Sequence, residues 1–312
     1  MFSSLHSTGK FRQTQQQGYS LLEVLVAMTL SAILLTGLVE LFISSSKNST
    51  ATTQLSRIQE TGRIALQFLN ADIRRAGYFG GNVVHDDIGG TLGLAASAGA
   101  CVANTTNWAR MINQPIFGLN DTNAGYACVT NGEYLSSDIL TLRSVSSWPV
   151  AVGDMTANRP YMRATLVEGR VFKGTDENDD SNEIIDSTAL NYALSAHTYY
   201  IGPSGRSCRG ASIPSLWRKS INDTGLPISQ ELLAGVERLQ FKYQVGNQYV
   251  DADNVSDWSD VLAVEISLLV RSECPEFSFT NNRTFAMGDL ADYVPADGYR
   301  RQLFTGVATI RN

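Results

Sequence analysis

The sequence predicts an α+β protein: a long N-terminal helix, apolar enough at its start to lie in a membrane and amphipathic further on, packed on antiparallel β-sheets with large loop insertions. Three observations carry this. Sixteen residues, Val24 to Val39, pass without a charge, and with their flanks they reach the roughly 20 residues that span a hydrocarbon core. From Leu55 to Ile73 apolar residues recur at helical spacing, and towards the C-terminus they alternate with polar ones at the period of two that a half-buried strand requires.

The chain opens on a basic stretch, Lys10 and Arg12 with no acid before Tyr19, although its net charge is −6. By the positive-inside rule this end stays cytoplasmic, and the residues after Ile43 cross the membrane. A cleaved secretory signal needs a shorter apolar core and a small-x-small site. An uncleaved anchor fits the length but leaves Glu23 unexplained, because a carboxylate in a membrane helix costs about 2.5–3.5 kcal/mol on insertion scales. Glu23 is therefore expected to have a charged partner.

Beyond a polar stretch from Ser44, the residues Leu55, Ile58, Gly62, Ala65, Leu66, Leu69 and Ile73 form one apolar stripe, with Arg57, Glu60, Arg63 and Gln67 opposite. The helix is expected from Tyr19 to about Ala76, on the order of 85 Å if unbroken. Gly77 and the following "GYFGG" would end it, and Gly37 and Gly62 would be its weak points. After Gly80 come loops rich in Gly, Ser and Asn. "ILTLRSV" from Ile139, "MRATLVEGRVF" from Met162, "HTYYIG" from His197, "LQFKYQV" from Leu239, "VLAVEISLLVRS" from Val261 and the terminal "RQLFTGVATIRN" read as strands. In the last two internal runs, Leu239, Phe241, Tyr243 and Val245, then Val264, Ile266, Leu268 and Val270, each share one face.

Acidic balance and the lack of a Lys/Arg run argue against nucleic acid as a partner. Four cysteines without a C-x-x-C spacing suggest two disulfides and an oxidising compartment. Three connectivities are open, and the local choice pairs Cys101 with Cys128 and Cys208 with Cys274. His6, His85 and His197 are scattered. "GPSGR", Gly202 to Arg206, lacks the G-x-S-x-G spacing of a nucleophile elbow and reads as a turn, and no phosphate-binding fingerprint is present. No catalytic residue and no obligatory cofactor is expected. In "GTDENDDSNEIID", Asp176, Asn178, Asp180 and Asn182 alternate as oxygen donors do in calcium loops, but Ser181 and Ser187 stand where an EF-hand needs Gly and Glu. The competing reading is a solvated acidic loop, and "DADNVSD" from Asp251 invites the same pair of readings more weakly.

Gly18 followed by Tyr19, Ser20, two leucines and Glu23, then an apolar helix, resembles the processing site of type IV prepilins and type II secretion pseudopilins. The resemblance implies a leader, 1–18, cut after Gly18 by a prepilin peptidase, N-methylation of Tyr19, a transmembrane and filament-core helix over 19–43, its amphipathic continuation over 44–77, and a periplasmic β-rich head over 78–312. It also implies a partner for Glu23: the terminal amine of a neighbouring subunit, which would make Glu23 a register device in the filament. Tyr19 stands where phenylalanine is common, and no proline precedes Pro115, unlike the kinked first helix of major pilins.

"DIRRAGYFGG", "VERLQFKYQV", "DWSDVLAVEISLLVRS" and "RRQLFTGVATIRN" resemble PilW-type minor pilins. That family implies an inner-membrane subunit that primes a type IV pilus and joins its tip complex, with other minor pilins, the major pilin, a tip adhesin-like protein and the inner-membrane assembly platform as partners. The alternatives are a J-type minor pseudopilin of type II secretion and, in another class, a bitopic periplasmic enzyme or sensor with a plain signal anchor.

Overall fold

A computed structural model describes residues 18–84, 88–94, 107–277 and 279–310. The helix α1 runs from Leu21 to Ile73 without interruption at Gly37. The chain divides into two compact units, 1–53 and 54–312. In the first, every described side chain from Gly18 to Thr50 is exposed. The hydroxyls of Thr29 and Thr36 donate to carbonyls one turn back, Val26 O at 2.9 Å and Ala32 O at 3.0 Å, so the helix absorbs its own polar side chains.

In the second unit α1 buries Ile58, Gly62, Ala65, Leu69 and Ile73, the face that the periodicity requires. Among the described residues fourteen strands follow: β1 (Ile88–Gly89), β2 (Ile116–Leu119), β3 (Ile139–Val145), β4 (Pro160–Ala164), β5 (Gly169–Lys173), β6 (Leu190–Cys208), β7 (Ala211–Ile221), β8 (Pro227–Ala234), β9 (Val236–Val245), β10 (Gln248–Val250), β11 (Val261–Arg271), β12 (Phe285–Met287), β13 (Leu290–Tyr293) and β14 (Arg301–Thr309). The fold is α+β, as expected.

An eight-stranded sheet has the order β1-β5-β4-β6-β3-β2, with β7 on β6 and β8 on β7. A four-stranded sheet has the order β10-β9-β11-β14, and β12 and β13 form a hairpin. Pairings are antiparallel except for the short β1–β5 contact. The main core joins α1 to Leu239, Phe241 and Tyr243 of β9, to Val264, Ile266, Leu268 and Val270 of β11, and to Leu140, Tyr199 and Leu216 of the larger sheet.

Three expectations are corrected. "GPSGR" is not a turn but part of the 19-residue strand β6, with a register irregularity between Pro203 and Ser207. At Gly202 a Cβ would fall 2.2 Å from the carbonyl of Glu133, so glycine admits a close crossing of two backbones. Strand β11 is not half-buried, because Leu269 on its second face packs under Phe285 and Met287 of the hairpin. Gly62 is not a soft point, since a Cβ there would lie 2.3 Å from the ring of Phe304 on β14. The missing side chain is the notch in which that ring sits. Gly62→Val is expected to destabilise the protein by about 1–3 kcal/mol through overpacking. Urea titration should show that Phe304→Ala in the same chain recovers part of this loss.

Two polar contacts that the sequence did not announce also shape the head. Arg143 on β3 is fully buried and donates to the carbonyls of Trp108 and Gln114, docking that loop on the sheet. Asp138 ties the sheets together by accepting Phe241 N–H at 2.7 Å and Asp121 N–H at 3.1 Å.

Candidate functional site

The first unit holds the candidate assembly site, and its local structure follows from four residues. Ser20 is the residue before the helix. Its carbonyl accepts the N–H of Glu23 at 3.0 Å and of Val24 at 3.2 Å, and its hydroxyl accepts Glu23 N–H at 3.2 Å. Ser-x-x-Glu is the capping-box spacing, a further signal legible in the sequence. The acid in the first turn also complements the positive end of the helix dipole. Helix nucleation at Ser20 leaves Gly18 and Tyr19 outside regular structure and exposed, and a Cβ at Gly18 would meet nothing within 4 Å. The peptide bond between them thus lies in exposed chain without regular structure, just ahead of the helix.

Down the helix, Glu23, Ala27, Ser31 and Leu35 repeat at i+4 beside Val24, Met28 and Ala32, and with Tyr19 they line one open groove. Among the described residues the Glu23 carboxylate has no partner within the chain. It is the one ionisable side chain between Tyr19 and Val39 other than Tyr19 itself. An exposed apolar helix that carries one carboxylate on a face of small side chains can pack closely with similar helices, and its charge selects a cation at that depth.

Other sequence candidates fall elsewhere. Cys208 and Cys274 are joined, with Cα atoms 5.5 Å apart. Cys128 is buried, and its expected partner, Cys101, lies outside the described residues, as do His6 and His85. Asp176 and Asp180–Asn182 lie on two short 3-10 turns. Asn182 is turned inward: its Oδ1 accepts Thr91 N–H at 2.8 Å and its Nδ2 donates to Asp176 O at 2.6 Å. Its side chain therefore closes the loop. Among the described residues no three His, Cys, Asp or Glu side chains gather at metal-binding separation.

His197 has a partnership that its isolation in the sequence hid. Asp72, in the last turn of α1, is buried and accepts from His197 Nδ1 at 2.5 Å, from Tyr199 Oη and from Arg75. Burial alone would raise the Asp72 carboxyl. The hydrogen bond and charge of His197, with the Tyr199 and Arg75 bonds, outweigh it and hold the group well below the usual carboxylate range. Burial, then the Asp72 charge, raises the Tyr199 phenol in turn. This cluster clamps the end of the helix to β6.

Comparison with protein families gives two matches. The model described as the prokaryotic N-terminal methylation motif matches residues 13–39, the stretch that contains Gly18, Tyr19 and Glu23. The model of PilW, type IV pilus-assembly protein W, matches residues 198–312, which include β7 to β14 and most of β6. Among solved structures the chain is similar to a type IV-like pilin from Thermus thermophilus, at 12% identity over 81% of this chain and 97% of that one, with a TM-score of 0.38. A comparison with curated proteins gives no match. The resemblance to type IV pilus proteins thus stands at both ends of the chain.

Proposed function

We propose that this chain is a minor pilin, cut after Gly18, methylated on Tyr19, held in the inner membrane by the helix over 19–43, and carrying its head, 78–312, across the membrane and into a type IV pilus. The single observation that carries the reading is the methylation-motif match over a segment whose Gly18–Tyr19 bond lies exposed just ahead of a capped apolar helix. The work of the subunit is association: with other minor pilins it primes assembly and contributes to the tip. In the filament, the Glu23 carboxylate pairs with the terminal amine of a neighbouring subunit, so that helices offset along the axis leave a buried charge uncompensated, at about 3–5 kcal/mol. The match of residues 198–312 to a pilus-assembly family favours the pilus over a secretion pseudopilus.

Intact mass and N-terminal sequencing of the protein from native membranes test this. Wild type is expected to begin at methylated Tyr19. Gly18→Ala should remain uncut and abolish the contribution to piliation, while Glu23→Ala should be cut normally and fail in assembly. An uncut wild-type chain would make it an ordinary anchored protein.

A further inference from the structure

The four-stranded sheet ends on β14, and its pairing shows which main-chain groups of that strand are engaged. Arg300 O accepts Ser272 N–H at 2.8 Å, and Ile310 N–H donates to Leu262 O at 3.0 Å. Between these two bonds β14 pairs with β11 without a register shift. Main-chain groups alternate sides in an antiparallel ladder, so Gln302, Phe304, Gly306 and Ala308 turn theirs to β11, and Leu303, Thr305, Val307 and Thr309 turn theirs outward. Among the described residues nothing meets these outward N–H and C=O groups.

The remaining edges of the two main sheets are guarded. On β9, Leu239 N–H donates to Ser137 Oγ at 3.1 Å, Leu239 O accepts Asp138 N–H at 3.0 Å, and Asp138 Oδ2 accepts Phe241 N–H at 2.7 Å, while β10 covers Tyr243 to Val245. In the larger sheet β8 starts at Pro227 and carries Glu231, and β1 and β2 are only two and four residues long. Proline, charge, shortness and a cover of other chain are the usual ways of protecting an edge. From Gln302 to Ile310 there is neither a charge nor a proline. Val307 is 51% exposed there, between exposed Thr305 and Thr309. A long, unguarded edge is a template for one more strand.

Beside the Arg301 end of β14 lies an open groove lined by Leu55, Phe285, Ala286 and Leu303, with Arg283 and Arg301 also bordering it. Arg301 is engaged by Glu237 and Asp297, whereas Arg283 is exposed and, among the described residues, has no acidic partner. We propose that the β14 edge receives an extended segment of another protein chain as a further strand of the four-stranded sheet, uncharged where it runs along Thr305 to Thr309 and bearing a carboxylate where it reaches Arg283. Main-chain hydrogen bonds supply the affinity, and the groove with Arg283 supplies the selectivity. A second copy of this chain fits less well. Phe304 lies against Gly62, and Gly306 against Leu66 and Asn70, so α1 runs over β14 in the same sense as the strand. Two copies joined edge to edge about a two-fold axis would point these helix segments oppositely, whereas on the pilin reading above both chains start from one membrane. The inference rests on that reading only in this choice of partner.

The test measures amide hydrogen exchange residue by residue on the full chain, alone in detergent and in the complexes solubilised from native membranes. In the chain alone, the outward amides of Leu303, Thr305, Val307 and Thr309 should exchange freely while those of Phe304, Gly306 and Ala308 are protected. In the complexes the outward amides should slow by at least about tenfold. Val307→Pro removes only an outward N–H, and Thr305→Lys/Val307→Lys places two charges on exposed positions, so both keep the ladder to β11. Both are expected to melt cooperatively and to be cut after Gly18 as wild type is, yet to be missing from the complexes, and Arg283→Glu should be depleted from them. Outward amides that remain fast in the wild-type complexes would overturn the proposal, as would full recovery of Thr305→Lys/Val307→Lys with its partners. Protection that arises in the purified chain on concentration would also overturn it, in favour of a second copy. An uncut wild-type chain would sink the pilin reading alone, because exchange at β14 in the membrane complexes decides the edge in either case.

Discussion

Arg301→Met is expected to lower the stability of the head by about 3–5 kcal/mol, the usual penalty for removing one member of a buried ionic group. The Arg301 side chain is wholly buried at the start of β14. It donates to both carboxylate oxygens of Glu237 at 2.5 and 2.8 Å and to both oxygens of Asp297 at 2.5 and 2.8 Å. Burial works against its charge, and the bonds to Asp297 and Glu237 more than offset that, raising its pKa above the ordinary arginine value. Methionine keeps much of the apolar stem but strands two acids, one of them 13% exposed. Arg271 lies 3.9 Å from Glu237 and can relieve it only in part. For a head of this size the loss corresponds to a drop of about 10 °C in the melting midpoint. Arg159→Met is the control: its partner Asp223 is 77% exposed, and pairs of that kind contribute about 0–1 kcal/mol.

Asp72→Asn is expected to cost about 3 kcal/mol at neutral pH, because His197 and Arg75 lose their shared carboxylate and Tyr199 its acceptor. The pH dependence follows from the depressed Asp72 carboxyl. Since its folded pKa lies below the unfolded value, the unfolded chain binds the proton first as pH falls. The stabilisation is complete above about pH 4 and is lost progressively below it, towards the folded pKa. The gap between wild type and Asp72→Asn should therefore be constant from pH 5 to pH 8 and shrink below pH 4. The groups that face Asp72 are His197 and Tyr199 from β6 and Arg75 from the turn after the helix, and Arg218 on β7 acts on Tyr199. Denaturant titrations at stepped pH check it, and a gap that widens on acidification would contradict this origin.

Much of the architecture was written in local pattern. The stripe from Ile58 to Ile73 named the helix face that is buried, and the alternation in β9 and β11 named the residues of the main core. The candidate assembly site was legible for the same reason: Gly18, Tyr19, Ser20 and Glu23 act through neighbours one turn apart, so their chemistry depends on spacing alone. Strands β7 and β8 were missed, because their hydrophobic pattern is diluted by charged residues such as Arg218, Lys219 and Glu231. Those side chains are satisfied by partners from elsewhere, Lys219 by Glu133 and Glu231 by Ser204.

The sequence by itself determined the long helix, the apolar segment with its one carboxylate, and the strands with a clean period, because each depends on backbone geometry repeated over a few residues. Only the tertiary structure decided which charges are joined and which gaps are filled. Asp72 and His197 are 125 residues apart, Arg301 and Glu237 are 64 apart, and the Phe304 ring finds its notch at Gly62. Such pairs gain their strength from desolvation and close fit, and neither exists until distant strands have been brought into register.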